Sequence, residues 1–296
     1  MRRLLCGLLA VSMLLALCGC RSRAERQALR AQLDYANGYT EPARTDWAMD
    51  DGTTLEEQVL LEQEDGLTVT AVGLYEDEYD VNLVLRVRND GREDVRVSCE
   101  SLTVNGWSLY GYLSGMVYAG GMADLELEIS RSDLYRAGID AVWEIGLALD
   151  IYDEDYNTLA APEAVLTTSN PPQESEPDGT LCYEDESLAV YLRDVVADEW
   201  SVEVYLAAEN RGTQELTIES EYAALDGDED RMVDFWLWED LPAGGRRMIS
   251  TTLWREDLED LTGSTELPET LTAQWTVSDE YGGARTVELT LPLTEG

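Results

Sequence analysis

The run Asp226-Gly227-Asp228-Glu229-Asp230, followed by Asp234, sets carboxylates at alternate positions, the spacing with which a loop wraps calcium. Its sixth position is Arg231 where an EF-hand needs Gly, and its twelfth is Leu237 where an EF-hand needs Glu. An EF-hand is excluded. An irregular calcium site on Asp226, Asp228 and Asp230 stands beside the plainer reading, an exposed acidic turn. Directly after it comes Phe235-Trp236-Leu237-Trp238. In a strand, Trp236 and Trp238 face one way and Phe235 and Leu237 the other, so one apolar face must fill a core. The opposite face is a candidate aromatic platform for sugar rings or for a protein partner. Cys99 falls in register with Val95 and Val97, and reads either as a buried thiol or as the partner of Cys182 in a disulfide.

Several chemistries are missing. The chain has no His, so no Ser-His-Asp or Cys-His arrangement and no His-bearing zinc site can be built. It has no Gly-x-Ser-x-Gly elbow, phosphate-binding Gly-rich loop or Cys-x-x-Cys. All 20 basic residues are Arg, against 61 acidic ones, for a net charge of −41. Such a surface repels nucleic acid and polyanionic polymers, because phosphate binding needs clustered positive charge. Nucleic acid is excluded as a partner.

At its start the chain reads Met1-Arg2-Arg3, an apolar stretch from Leu4 to Leu17, then Leu17-Cys18-Gly19-Cys20. This resembles the bacterial lipoprotein signal, with Leu three residues before an obligatory Cys and a small residue just before it. The resemblance implies cleavage after Gly19, a covalent lipid on Cys20, and residence on the extracytoplasmic face of the cell membrane. Beyond the lipid, no cofactor is implied. Arg21, Arg23, Arg26 and Arg30 follow in a stretch reading as a short helix from Ala24 to Leu33, where anionic headgroups would lie. The polar segment from Asn37 to Gly52 reads as spacer.

What positions the candidate residues is a duplication. Shifted by 121 residues, Leu67 to Gly106 overlays Leu188 to Gly227 without a gap. Asn89-Asp90-Gly91 meets Asn210-Arg211-Gly212, and further on Ala119-Gly120-Gly121 meets Ala243-Gly244-Gly245. Trp236 and Trp238 meet Tyr112 and Ser114, which adds Tyr112 to the candidate platform. Both copies alternate apolar and polar residues, as in Val81–Arg88 and Val202–Ala208, the period of half-buried strands. Asn-x-Gly at the end of each predicts a tight hairpin. Helical turns are expected at Ser132–Ala137 and Glu256–Leu261.

The expected fold is therefore all-β: two tandem immunoglobulin-like β-sandwiches after a signal peptide and a short helical tether. The boundaries read as signal peptide 1–19, lipidated Cys20 and tether 20–57, first sandwich 58–168, Pro-rich acidic linker 169–180, and second sandwich 181–296. The expected function is non-enzymatic: a lipid-anchored binding or spacer protein at the cell surface, engaging a protein or glycan. The alternatives are an accessory subunit of an envelope complex, and a carbohydrate-processing or metal-dependent hydrolase that uses acidic residues. A deep cleft with two or more carboxylates would favour the hydrolase, and convex sandwiches the binder.

Overall fold

A computed structural model describes residues 47–64, 66–173, 179–264 and 266–293. The signal sequence, Cys20 and the expected tether helix lie outside them. Among the described residues, no helix is long and apolar enough to cross a membrane.

The chain is nearly all-β, in several sheets. Its first half runs β1 (Gln58–Glu62), β2 (Leu67–Glu76), β3 (Asp80–Asn89), β4 (Val95–Val104), β5 (Trp107–Leu109), β6 (Gly111–Tyr112), β7 (Ser114–Val117) and β8 (Gly121–Ser130). It continues through α1 (Arg131–Arg136), β9 (Glu144–Tyr152), β10 (Thr158–Ala160) and β11 (Glu163–Thr167). The second half runs β12 (Thr180–Glu184), β13 (Leu188–Ala197), β14 (Ser201–Asn210), β15 (Leu216–Leu225), β16 (Asp228–Leu241) and β17 (Arg246–Trp254). It ends with α2 (Arg255–Thr262), β18 (Thr270–Asp279) and β19 (Ala284–Pro292).

The duplication recurs in the strand order. One sheet of each half has the order β1-β2-β3-β8 or β12-β13-β14-β17. The facing sheet has β7-β4-β9-β11 or β16-β15-β18-β19. Alternate side chains from both sheets fill one core per half, with Trp107 and Ile145 in the first and Phe235 and Trp275 in the second. The two helical turns form where Ser-Asp-Leu and Glu-Asp-Leu stand, and Ser130 caps α1 by accepting from the backbone of Asp133.

The Asn-x-Gly hairpins do not form. β3 and β4 lie in different sheets, as do β14 and β15, so each Asn-x-Gly segment is a corner rather than a hairpin. The reason lies in the Asn side chains, which are buried and bridge the corner. Asn89 donates to Glu93 O at 2.8 Å and Val117 O at 3.1 Å, and accepts from Gly91 N at 3.0 Å. Asn210 repeats the pattern with Gln214 O at 2.7 Å, Leu241 O at 3.0 Å and Gly212 N at 2.8 Å.

Residues 47–57, expected in the tether, pack on the first half instead. Leu55 is buried and bridges to Thr168, while Trp47 lies against Gly73 and the Tyr75 ring. A Cβ on Gly73 would come within 2.1 Å of the Trp47 side chain, so only Gly admits this contact. The expected linker is also held at its start, where Asn170 donates to Thr53 Oγ1 at 2.8 Å and to Val142 O at 3.0 Å.

The halves meet along a short parallel ladder, Arg246 opposite Trp107 and Arg247 opposite Ser108, which joins β5 to β17. Ala207, Tyr191 and Met248 of the second half pack against the first core. Arg246 bonds Glu209 at 3.0 Å with its guanidinium 5.7 Å from the Trp107 ring centroid, and Arg193 Nε donates to Arg136 O at 2.6 Å.

Candidate functional sites: an aromatic platform and an inter-half cleft

Strand alternation on β16 separates its aromatic residues cleanly. Phe235 and Leu237 are sealed in the second core, while Trp236 and Trp238 are 70% and 57% exposed on the outer face. Two residues apart on one strand, the two indoles leave the backbone about 7 Å from each other on the same face. Trp238 lies opposite Glu219 on β15, and Glu219 opposite Thr276 on β18, so hydrogen-bonding side chains continue the row across the sheet. Next to them, Asp240 accepts from Thr217 Oγ1 at 2.7 Å.

Tyr112 does not join this platform. It is 53% exposed, but it sits on β6, which pairs with β8 in the other sheet of the first half. The strand matching β16 is broken there into β5, β6 and β7. Gly111 passes so close to Leu102 and Leu127 that a Cβ would approach them to 2.7 and 3.0 Å, which carries the chain over to the opposite sheet.

The acidic run forms the turn between β15 and β16. Asp226, at φ 52°, exchanges hydrogen bonds with the Thr270 backbone. Asp228 takes Arg231 Nε at 2.8 Å, and the same guanidinium reaches Asp226 at 3.8 Å. That Arg231 bond, with the Asp230 amide, holds the Asp228 carboxyl below the usual range. Asp230 enters the turn through its backbone N–H, which donates to Asp228. The Asp226 and Asp228 carboxylates are thus engaged by a guanidinium and by backbone N–H groups, and among the described residues no group of three or more acids or thiols is placed to hold a metal.

Cys99 and Cys182 are free thiols, not a disulfide. Each packs against the core of its own half, and their nearest hydrogen-bond acceptors are Ser101 O at 3.4 Å and Thr180 O at 3.2 Å. Burial pushes the Cys99 thiol up to about 11, so it stays protonated and unreactive at neutral pH.

Sequence reasoning missed a cleft between the halves, of about 230 Å³, beside the β5–β17 ladder. Tyr110 and Asp133 of the first half face Tyr205, Glu239, Arg247 and Ser250 of the second across it. Arg136 lies 3.5 Å over the Tyr205 ring centroid and reaches Asp133 at 3.6 Å and Asp194 at 3.8 Å. Arg247 holds Glu239 at 2.5 Å. Tyr205 donates its hydroxyl proton to Glu203. Burial, with that bond second, raises the Tyr205 pKa, and burial also moves the Asp133 and Glu239 carboxyls up. A signal was available: Tyr205, Glu239 and Arg247 replace Val84, Gly115 and Ala123 at the matching register positions of the first half.

No family model matches the chain, and no curated protein matches it. Among solved structures, the chain is similar to the transglutaminase of red sea bream at 11% identity and a TM-score of 0.21, over 77% of this chain and 31% of that one. It is similar to the exo-chitosanase CsxA of Amycolatopsis orientalis at 11% identity and a TM-score of 0.22, over 78% and 26%. A β-glucosidase of Kluyveromyces marxianus gives 9% identity and 0.19, over 85% and 50%. The chain thus spans at most half the length of these structures. At such scores the likenesses carry no argument, and the functional reading rests on the sites alone.

Proposed function

We propose that this chain is a lipid-anchored, non-enzymatic binding protein on the extracytoplasmic face of a bacterial membrane. It is built from two tandem immunoglobulin-like sandwiches and engages a glycan or protein through the Trp236–Trp238 face. One observation carries the reading. The strand that seals Phe235 and Leu237 into the core leaves two indoles in water on its other side. Exposing each costs roughly 1.5–3 kcal/mol relative to burial, which a stacked partner recovers. The immunoglobulin-like reading is supported by the strand order, in which each half repeats the antiparallel orders β1-β2-β3-β8 or β12-β13-β14-β17 in one sheet and β7-β4-β9-β11 or β16-β15-β18-β19 in the other. Export and anchoring rest on the Cys20 signal.

The cleft favours a second reading, since it holds Asp133 and Glu239 and burial shifts both carboxyls in the direction a general acid needs. Each is nevertheless paired with a guanidinium, which suits holding a ligand better than releasing a proton. Affinity electrophoresis of the mature chain through gels containing neutral soluble polysaccharides tests the binding reading. Wild type should be retarded by at least one polymer and the Trp236→Ala/Trp238→Ala variant should not. Equal mobility for both in every gel, together with hydrolysis of an aryl glycoside that Asp133→Asn abolishes, would favour the hydrolase.

A further inference from the structure

We infer that the inter-half cleft is a second binding site, for a single neutral sugar unit; this does not rest on the Trp236–Trp238 reading. Charge sets the class of ligand. The two carboxylates lining the cleft each hold a guanidinium, Asp133 with Arg136 at 3.6 Å and Glu239 with Arg247 at 2.5 Å. A charged ligand would have to compete with one member of a pair already formed in a partly desolvated place. A neutral polyhydroxyl ligand need break neither. Its hydroxyls donate to the remaining carboxylate lone pairs and accept from the remaining N–H groups of Arg247. Ser108 and Ser250, also in the lining, supply hydroxyls that can donate or accept.

Size and shape agree. A space of about 230 Å³ falls below the roughly 300–1,000 Å³ of pockets for drug-sized ligands, so it takes one small ring rather than an oligomer. Tyr110, 76% exposed, stands at the rim, where its ring offers an apolar face to the C–H side of a pyranose. Glu203, behind Tyr205, is engaged by the Tyr205 hydroxyl. The net charge of −41 sets the whole surface against anionic sugars. Because the lining comes from both halves, neither repeat alone contains the site.

Isothermal titration of the detergent-solubilised full chain with cellobiose, maltose and lactose tests this, with glucosamine and galacturonate as charged comparators. At least one neutral disaccharide should bind saturably through its terminal unit. Tyr110→Ala should weaken it about tenfold or more, and Ser250→Trp, which fills the space, should remove it. Trp200→Ala, at an exposed residue outside both sites, should leave it unchanged. Tyr110 is exposed, so its variant remains informative even if Ser250→Trp misfolds. The inference is overturned if no neutral sugar binds saturably, if binding persists in a folded Ser250→Trp chain, or if glucosamine binds more tightly than the neutral sugars. Loss in Trp236→Ala/Trp238→Ala with no change in Tyr110→Ala would move the sugar to the platform and equally overturn the cleft assignment.

Discussion

Asn89 and Asn210 hold the corners at which the chain leaves one sheet for the other, and each does so with a buried amide that donates twice and accepts once. Removing such a side chain leaves two carbonyls and one N–H to be satisfied in a place water reaches poorly. Asn210→Ala is expected to destabilise the fold by about 2–4 kcal/mol. Asn210→Asp should do no better, because it keeps the acceptor for Gly212 but loses both donors and buries a charge. Urea unfolding of the variants measures this, and a loss within about 0.5 kcal/mol would show that the corner is held by other contacts. The same residues mark a limit of local reading. Asn-x-Gly announces a turn through its tolerance of unusual backbone angles, but whether that turn joins neighbours in one sheet or crosses to the other is decided by distant carbonyls such as Leu241 O.

At the scale of elements, strand β16 is where sequence and structure agree most closely. Its alternation separates two apolar faces, burial assigns Phe235 and Leu237 to the core and Trp236 and Trp238 to the surface, and a shift of 124 residues pairs the two Trp with Tyr112 and Ser114. Phe235→Ala should therefore cost about 3–5 kcal/mol, while Trp236→Thr and Trp238→Thr should each stay within about 0.5 kcal/mol, read as shifts in the denaturant midpoint. Comparable losses at all three positions would mean that the outer face is packed as well. Two other elements were hidden from a sequence reading. The β5–β17 ladder is two residue pairs long and depends on a contact between the halves, so no periodicity announces it. The packing of Trp47 on Gly73 is likewise non-local, and a polar, Gly- and Pro-punctuated stretch gave no sign of it. The cleft was legible only as a departure from the repeat, where Tyr205, Glu239 and Arg247 stand in the places of Val84, Gly115 and Ala123.

For the whole molecule, charge dominates. A net −41 repels itself at neutral pH, so partial protonation should stabilise the fold. Asp133 and Glu239 add to this with the same sign. Burial raises their folded pKa above the unfolded value, so their penalty is complete above the folded pKa and is relieved as the pH falls toward the unfolded one. Asp77 and Asp198 act in the opposite sense, since backbone N–H bonds from Tyr79 and Asp80, and from Trp200 and Ser201, lower their pKa. Their contribution is present above the unfolded value and is lost as the pH falls through the folded one. Tm at constant ionic strength should therefore rise from pH 7 to about 5 and fall below about pH 4; a steady decline from pH 8 to 5 would contradict this balance. If the Trp236–Trp238 face engages a partner at the cell surface, as proposed, that partner must shield both indoles there. Hydroxyl-radical footprinting of the anchored protein on intact cells, compared with the purified chain, tests it most directly. Trp200 and Trp254, exposed elsewhere on the second half, provide the reference. Trp236 and Trp238 should oxidise several-fold more slowly on cells than in the purified chain, while Trp200 and Trp254 do not change. Equal oxidation of Trp236 and Trp238 on cells and in solution would contradict it.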